Sequence, residues 1–181
     1  GLLGSTVENH GGAGASNTAY GLICYEIEKV DSSYRSSISV QSSLVIHPIE
    51  SFGSEEQRER YLPELISGDI IGCFGLTESE AGSDPSSMKT TYKKNQNGYV
   101  LNGSKNWITN APIADVFIVW ALNEKFETNS IKGFILDKGT KGLTTSTIEN
   151  KTSLKISPTG QIIMQDVSVD KSNCLENTKG W

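Results

Sequence analysis

Histidine and cysteine are scarce in this sequence, and the few present do not group. Its 181 residues include 2 histidines and 3 cysteines. His10 and His47 are too few for a histidine-rich metal site, and both read as ordinary structural or surface residues. Cys24, Cys73 and Cys174 lie far apart without CxxC spacing, so the odd count argues against a disulfide framework and for a reducing compartment. Positive charge is not in excess: 16 Lys and Arg stand against 21 Asp and Glu, a net charge of -5. No basic cluster forms an electrostatic footprint for nucleic acid, which argues against a DNA- or RNA-binding role. Long apolar runs are missing too. The longest, Val116 to Leu122, falls far short of the ~18 residues of a membrane span and fits a buried strand.

Nucleotide-binding signatures of the common kinds are absent, with no GxGxxG between a strand and a helix and no GxxxxGK[ST]. A basic-then-apolar signal segment is also lacking. The chain opens on Gly1 rather than Met and stops at Lys179-Gly180-Trp181 without a terminating signal, so it reads as cut at both ends. A hydrophobic share of 36% and a charged share of 20% suit a globular chain of one domain or two small ones.

Two periodicities divide the chain. From Ser16 to about Ile70 the spacing is helical, with Tyr20, Ile23, Ile27 and Val30 on one face. Asp31-Ser32-Ser33 interrupts this helix and can cap a second over Tyr34–Ile46, which is expected to end before Pro48. Ser54-Glu55-Glu56-Gln57 makes a capping box, Pro63 suits the first turn of a short continuation, and Gly68 supplies a C-terminal stop. After Ile71 the period becomes two. Strands are expected over 71–76, 89–94, 99–101, 105–109, 116–122, 133–137, 143–148 and 161–169, with turns at Asn97-Gly98, Asn102-Gly103 and Lys141-Gly142. The fold class is therefore α+β: a helical segment over 1–70, then an antiparallel β domain of barrel or sandwich type over 71–181.

Cys73-Phe74-Gly75-Leu76-Thr77-Glu78-Ser79-Glu80-Ala81-Gly82-Ser83-Asp84-Pro85 is a strand that breaks into a polar loop of small residues. Such a loop can bring backbone N–H groups and hydroxyls against a planar polar ligand, or it can be a plain strand exit with an Asp-Pro turn. Gly11-Gly12-Ala13-Gly14 ahead of a helix likewise fits an anion site or a flexible turn. The first string resembles the signature LTExxxGSD of the acyl-CoA dehydrogenases. A second, Leu101-Asn102-Gly103-Ser104-Lys105-Asn106-Trp107-Ile108-Thr109-Asn110, resembles the same family's LNGxKxWITN hairpin. The resemblance continues through nearly the whole chain and is strongest to the glutaryl-CoA dehydrogenases. It includes Tyr34-Arg35-Ser36, Ser39-Val40-Gln41-Ser42-Ser43-Leu44-Val45, His47-Pro48 and Thr159-Gly160 before Ile162-Ile163-Met164. Ser79 replaces the family's usual proline, and Asn123–Ser130 departs from the pattern as a surface loop does.

This resemblance implies a flavin site for FAD lined by Phe74, Gly75, Leu76, Thr77, Gly82, Ser83, Trp107, Ile108 and Thr109. Thr77 would bond the polar edge of the ring, Trp107 would shield one face, and Thr109 would lie near N5. It implies an acyl-CoA substrate touched at its thioester end by Ser83. Arg35, assisted by Ser36, would hold the distal carboxylate of glutaryl-CoA, a bidentate task suited to a guanidinium. The implied reaction forms crotonyl-CoA and carbon dioxide, with electrons passed to an electron-transfer flavoprotein. The family's C-terminal helical bundle, with its glutamate base and much of a tetramer interface, is absent from this chain. Glu78 and Glu80 do not substitute for that base. A short- or branched-chain acyl-CoA dehydrogenase and a non-catalytic flavin- or acyl-CoA-binding module are the alternatives. A serine hydrolase using Ser83, Asp84 and His47 lacks a GxSxG elbow. A mitochondrial matrix and a bacterial cytoplasm both fit.

Overall fold

The computed structural model describes residues 1–125, 130–175 and 177–178. Helices come first: α1 (Asn17–Glu28), α2 (Ser32–Ser39), a π-helical segment (Val40–Ile46), α3 (His47–Phe52) and α4 (Glu55–Ser67). Strands follow: β1 (Gly72–Gly75), β2 (Thr91–Lys94), β3 (Gly98–Thr109), β4 (Val116–Asn123), β5 (Lys132–Asp137), β6 (Leu143–Thr147), β7 (Thr159–Asp170) and β8 (Cys174–Leu175). Part of the surface loop expected over Asn123–Ser130 lies outside the described residues.

Local chemistry accounts for most helix ends. Ser16 caps α1 through its hydroxyl, and Asp31 caps α2 by accepting from the Ser33 N–H at 2.6 Å. The capping box of α4 is complete: Ser54 Oγ accepts from the Gln57 N–H, and Gln57 Oε1 accepts from the Ser54 N–H at 2.9 Å. Gly68 closes α4 in the left-handed conformation.

Three helical expectations need correcting. Helix does not stop at Pro48 but runs from Ser32 to Phe52. The π segment makes this possible, since the His47 N–H reaches back to the Ser42 carbonyl and the widened turn relieves the clash between a proline ring and the carbonyl four residues earlier. Pro63 starts no separate piece and lies inside α4. Val30, expected on the apolar face, is 76% exposed, and α1 buries none of its residues.

Pairing in the β part is more mixed than antiparallel. The described strands form an open path, β6-β7-β3-β2-β4-β5-β8, with β1 joined to β4. β1 and β2 both pair with β4 in parallel, while the other pairs are antiparallel. From Val116 to Leu122 β4 is apolar at every position because both its faces are covered. Val116, Ile118, Trp120 and Leu122 face a core shared with α4 and the π segment. Phe117, Val119 and Ala121 face a second core with Tyr99, Leu101, Phe134, Ile162 and Val167. The turn at Asn97-Gly98 stands as expected between β2 and β3, with the Asn95 N–H on the Gly98 carbonyl.

Two glutamines join helices to strands. Buried Gln41 donates to the Leu65 and Ile70 carbonyls at 3.0 Å each and accepts from the Gly72 N–H at 2.8 Å. Gln57 donates to the Ser172 and Cys174 carbonyls. The end of α4 and the start of β1 are thereby held together, which sets where the loop after β1 emerges.

Candidate functional site

The site is built on β3, and two bulges give that strand its form. The sequence pattern placed a turn at Asn102-Gly103, but β3 runs unbroken from Gly98 to Thr109. Its partner β7 instead carries an extra residue there, with Leu101 opposite Val167 and Gly103 opposite Met164. The Asn102 side chain fills this irregularity, accepting from the Asp166 N–H at 2.9 Å and donating to the Asp166 carboxylate. Gly103 is required by space: a Cβ there would lie 2.7 Å from the Thr90 Cα, and its φ is +141°.

The second bulge lies in β3 itself, with Lys105 opposite Ile162 and Ile108 opposite Gly160. Up to this point the odd-numbered residues Tyr99, Leu101 and Lys105 point inward. Simple alternation would bury Trp107 as well. The extra residue inverts the phase, so Ile108 goes into the core and Trp107, at φ 59°, is turned outward and left 60% exposed. A tryptophan with positive φ stores backbone strain. The Asn106 N–H is freed from the ladder and donates to the Thr77 carbonyl at 2.9 Å, while Asn106 Nδ2 donates to Ser79 Oγ at 3.3 Å. The two strings singled out in the sequence are thus bonded to each other.

Trp107 and Thr109 line an open cavity of about 480 Å³ whose far wall is the segment from Ile148 to Leu154. That wall is held by Lys151, whose ammonium donates to the Leu154 carbonyl, the Ser157 carbonyl and Thr159 Oγ1 at 2.8, 2.5 and 2.8 Å. An exposed indole with a neighbouring hydroxyl beside a cavity of this size suits a planar heteroaromatic ring: the indole supplies stacking area and the threonine one polar contact.

On the inward side of β3, two residues before Trp107, lies a buried ion pair. Lys105 has no exposed surface, and its ammonium donates to Glu78 Oε1 at 2.8 Å and to the Leu76 carbonyl at 3.1 Å. Glu78 also accepts from the backbone N–H groups of Lys89 (2.7 Å) and Thr90 (3.0 Å). Burial pushes the Glu78 carboxyl up, but the Lys105 ammonium and these N–H groups outweigh it and hold the group below the usual carboxylate range. Burial lowers the Lys105 ammonium, opposed only in part by Glu78.

The other expected site residues divide. Gly75 is buried under β3 and β7, where a Cβ would meet Ile162 Cδ1 at 3.0 Å and Lys105 Cγ at 3.3 Å. Phe74 and Leu76 are half-buried against the helix-side core, with Phe74 tilted onto Trp120 at 6.0 Å. Ile108 packs inward rather than facing a ligand. Gly82 and Ser83 are exposed in the loop, and nothing lies within 4 Å of where a Gly82 side chain would start. Arg35 and Ser36 are not among these groups. They sit on α2, which packs mainly on α1 and the π segment, and Arg35 Nε donates to Glu28 at 2.7 Å. His47 faces Ser51 and Glu50 on α3, so it offers no base to Ser83.

Sequence reasoning missed Lys105, Asn106 and the Lys151 wall as parts of this region. Lys105 was detectable, since the alternation through Tyr99 and Leu101 places a lysine at an inward position, where it needs a counter-charge. The wall carried no such signal.

Comparison with known proteins places the chain. Residues 73–167 match the family profile described as acyl-CoA dehydrogenase, middle domain, and residues 1–69 match the profile for its N-terminal domain. An acyl-CoA dehydrogenase of Bacillus subtilis (strain 168) is 41% identical over 177 residues, which is 97% of this chain and 47% of that protein. The structure of a glutaryl-CoA dehydrogenase from Mycobacterium smegmatis in complex with FADH2 superposes with a TM-score of 0.95 at 42% identity, over 99% of this chain and 46% of that one. The butyryl-CoA dehydrogenase of Megasphaera elsdenii gives 0.88 at 39% identity, over 96% and 46%. The chain spans about half the length of the relatives it matches.

Proposed function

Since this chain belongs to the acyl-CoA dehydrogenase family, we propose that it forms the N-terminal helical part (1–70) and the middle part (71–181) of a FAD-dependent enzyme that converts glutaryl-CoA to crotonyl-CoA and carbon dioxide. The observation that carries the flavin reading is Trp107, turned out of the sheet by a bulge to stand with Thr109 on the rim of a ring-sized cavity. When bound, FAD supplies hydride acceptance. The chain's own residues bind and orient. Trp107 covers one face of the ring and excludes water from it. The Thr109 hydroxyl donates where negative charge accumulates on reduction. Thr77, with the exposed Gly82-Ser83, borders the ring's polar edge, Phe74 to Leu76 support that loop from the core side, and Ser83 meets the thioester end of the substrate.

The substrate reading rests on Arg35. Identities of 42% and 39% to a glutaryl-CoA and a butyryl-CoA dehydrogenase do not separate the two substrates. A guanidinium facing an acyl pocket separates them chemically, because it matches a carboxylate and serves no alkyl tail. Glu28 engages Arg35 through Nε, which leaves the two Nη groups to take a carboxylate in a bidentate pair. The second reading, a short- or branched-chain acyl-CoA dehydrogenase, is favoured by that same Arg35–Glu28 pair, which partly neutralises the cation. In either reading the base that removes the substrate α proton comes from outside this chain. An electron-transfer flavoprotein is the acceptor, the full-length assembly is a tetramer, and the compartment is a mitochondrial matrix or a bacterial cytoplasm. No helix among the described residues is long and apolar enough to cross a membrane.

The test uses the full reading frame that contains this chain. Glutaryl-CoA is added without oxygen while flavin absorbance is followed and carbon dioxide is trapped. Bleaching with carbon dioxide release supports the proposal. Bleaching with butyryl-CoA alone moves the substrate, and no bleaching with any acyl-CoA leaves a binding module.

A further inference from the structure

We infer that Lys105 and Glu78 are positioning residues for the flavin: their buried pair clips the loop after β1 onto β3 and so sets the spacing between Thr77 and Trp107. This rests on the flavin reading above and adds residues that touch no ligand. The clip has three layers. The Lys105 ammonium holds the Leu76 carbonyl directly before Thr77. The Glu78 carboxylate directly after Thr77 holds the N–H groups of Lys89 and Thr90, where the loop returns to the sheet. Between them the Thr77 carbonyl accepts from the Asn106 N–H, one residue before Trp107. Thr77 is thus fixed on both sides by the pair and in the middle by the bulge that displays Trp107.

A pair built only for stability has no need of this arrangement. Replacing both members of a buried ion pair with apolar residues of similar size is often neutral or stabilising, whereas removing one partner leaves an uncompensated charge. Here the pair also satisfies three backbone groups of a loop whose stretch from Gly82 to Asp84 is small and exposed and which reaches the core through Ala81 and Met88. Without it, the loop keeps the turn between Glu78 and Ala81, the Asn106–Thr77 bond and the buried Met88, but the Leu76 carbonyl and the Lys89 and Thr90 N–H groups lose the bonds that set its position on either side of Thr77.

The experiment compares full-length wild type with E78L/K105M and with Glu78→Asp, which keeps the charge and the fold but is one methylene too short to reach all partners. FAD dissociation constants are measured by reconstitution of apoprotein, with hydrogen exchange at the Lys89 and Thr90 amides as a second readout. The double variant is expected to unfold within a few degrees of wild type and bind FAD at least tenfold more weakly. E78D is expected to weaken FAD roughly threefold and to exchange the two amides faster. Unchanged FAD affinity in both variants overturns the inference while the flavin reading stands. If wild type itself binds no FAD, the flavin reading fails. Amide exchange then decides the clip alone: faster exchange in E78D supports it, and unchanged exchange overturns it.

Discussion

Arg35 Nε donates to Glu28 Oε2 at 2.7 Å, tying the end of α1 to α2 at the side chain proposed to meet the substrate carboxylate. The other Glu28 oxygen accepts from the Ser32 hydroxyl at 2.5 Å. The Ser32 hydroxyl first, and Arg35 second, hold the Glu28 carboxyl below the usual carboxylate range. A depressed carboxyl keeps its pair above the ordinary carboxylate value and releases it as pH falls through the lowered one. Carboxyl-carbon NMR should therefore place the Glu28 midpoint below ~4.3, the ordinary glutamate value. In R35A it should rise, because one of the two groups that lower it is gone. A midpoint unmoved by R35A would mean the pair does not persist in solution.

Trp107 separates folding from binding. Its left-handed backbone is easier for glycine by about 1 kcal/mol, and an indole already 60% exposed contributes little to the core. W107G should leave stability unchanged or raise it by up to ~1 kcal/mol in urea unfolding, while FAD affinity falls roughly tenfold through lost stacking area. A marked loss of stability would show that the indole is packed after all.

Gln41 tests the seam between helices and sheet. Gln41→Ala strands the Leu65 and Ile70 carbonyls and the Gly72 N–H in a buried place. The expected cost is about 2–4 kcal/mol, read as a lower urea midpoint with an unchanged slope. A cost under ~0.5 kcal/mol, the size of an ordinary surface substitution, would show that water replaces these bonds.

How far the sequence reveals this molecule depends on whether a signal is local. The capping box at Ser54 and Gln57, the stop at Gly68 and the hairpin at Asn97-Gly98 are local chemistry, and each stands where its residues placed it. Pro48 misled because its steric effect was relieved by a π-helical segment that no residue of Val40–Ile46 announces. Asn102-Gly103 has the composition of a turn, but its partner across the sheet made it part of a bulged strand. The outward Trp107 depends on the register with β7, and the parallel pairing of β1 and β2 with β4 depends on long-range packing. Motif resemblance pointed to both strings, of which the second reaches the cavity through Trp107 and Thr109. That they are held together by Asn106, Lys105 and Glu78 emerges only when the chain is folded.

The most direct test of the central claim compares wild type and R35A in the full-length enzyme, measuring kcat/KM for glutaryl-CoA and butyryl-CoA side by side. Loss of a charge-assisted carboxylate contact of about 1.5–3 kcal/mol corresponds to a roughly 10- to 150-fold drop for glutaryl-CoA. Butyryl-CoA, which has no distal carboxylate, should change less than about threefold, since no charged contact is lost. An equal change for both substrates, or wild-type turnover that already favours butyryl-CoA, would contradict the glutaryl-CoA assignment.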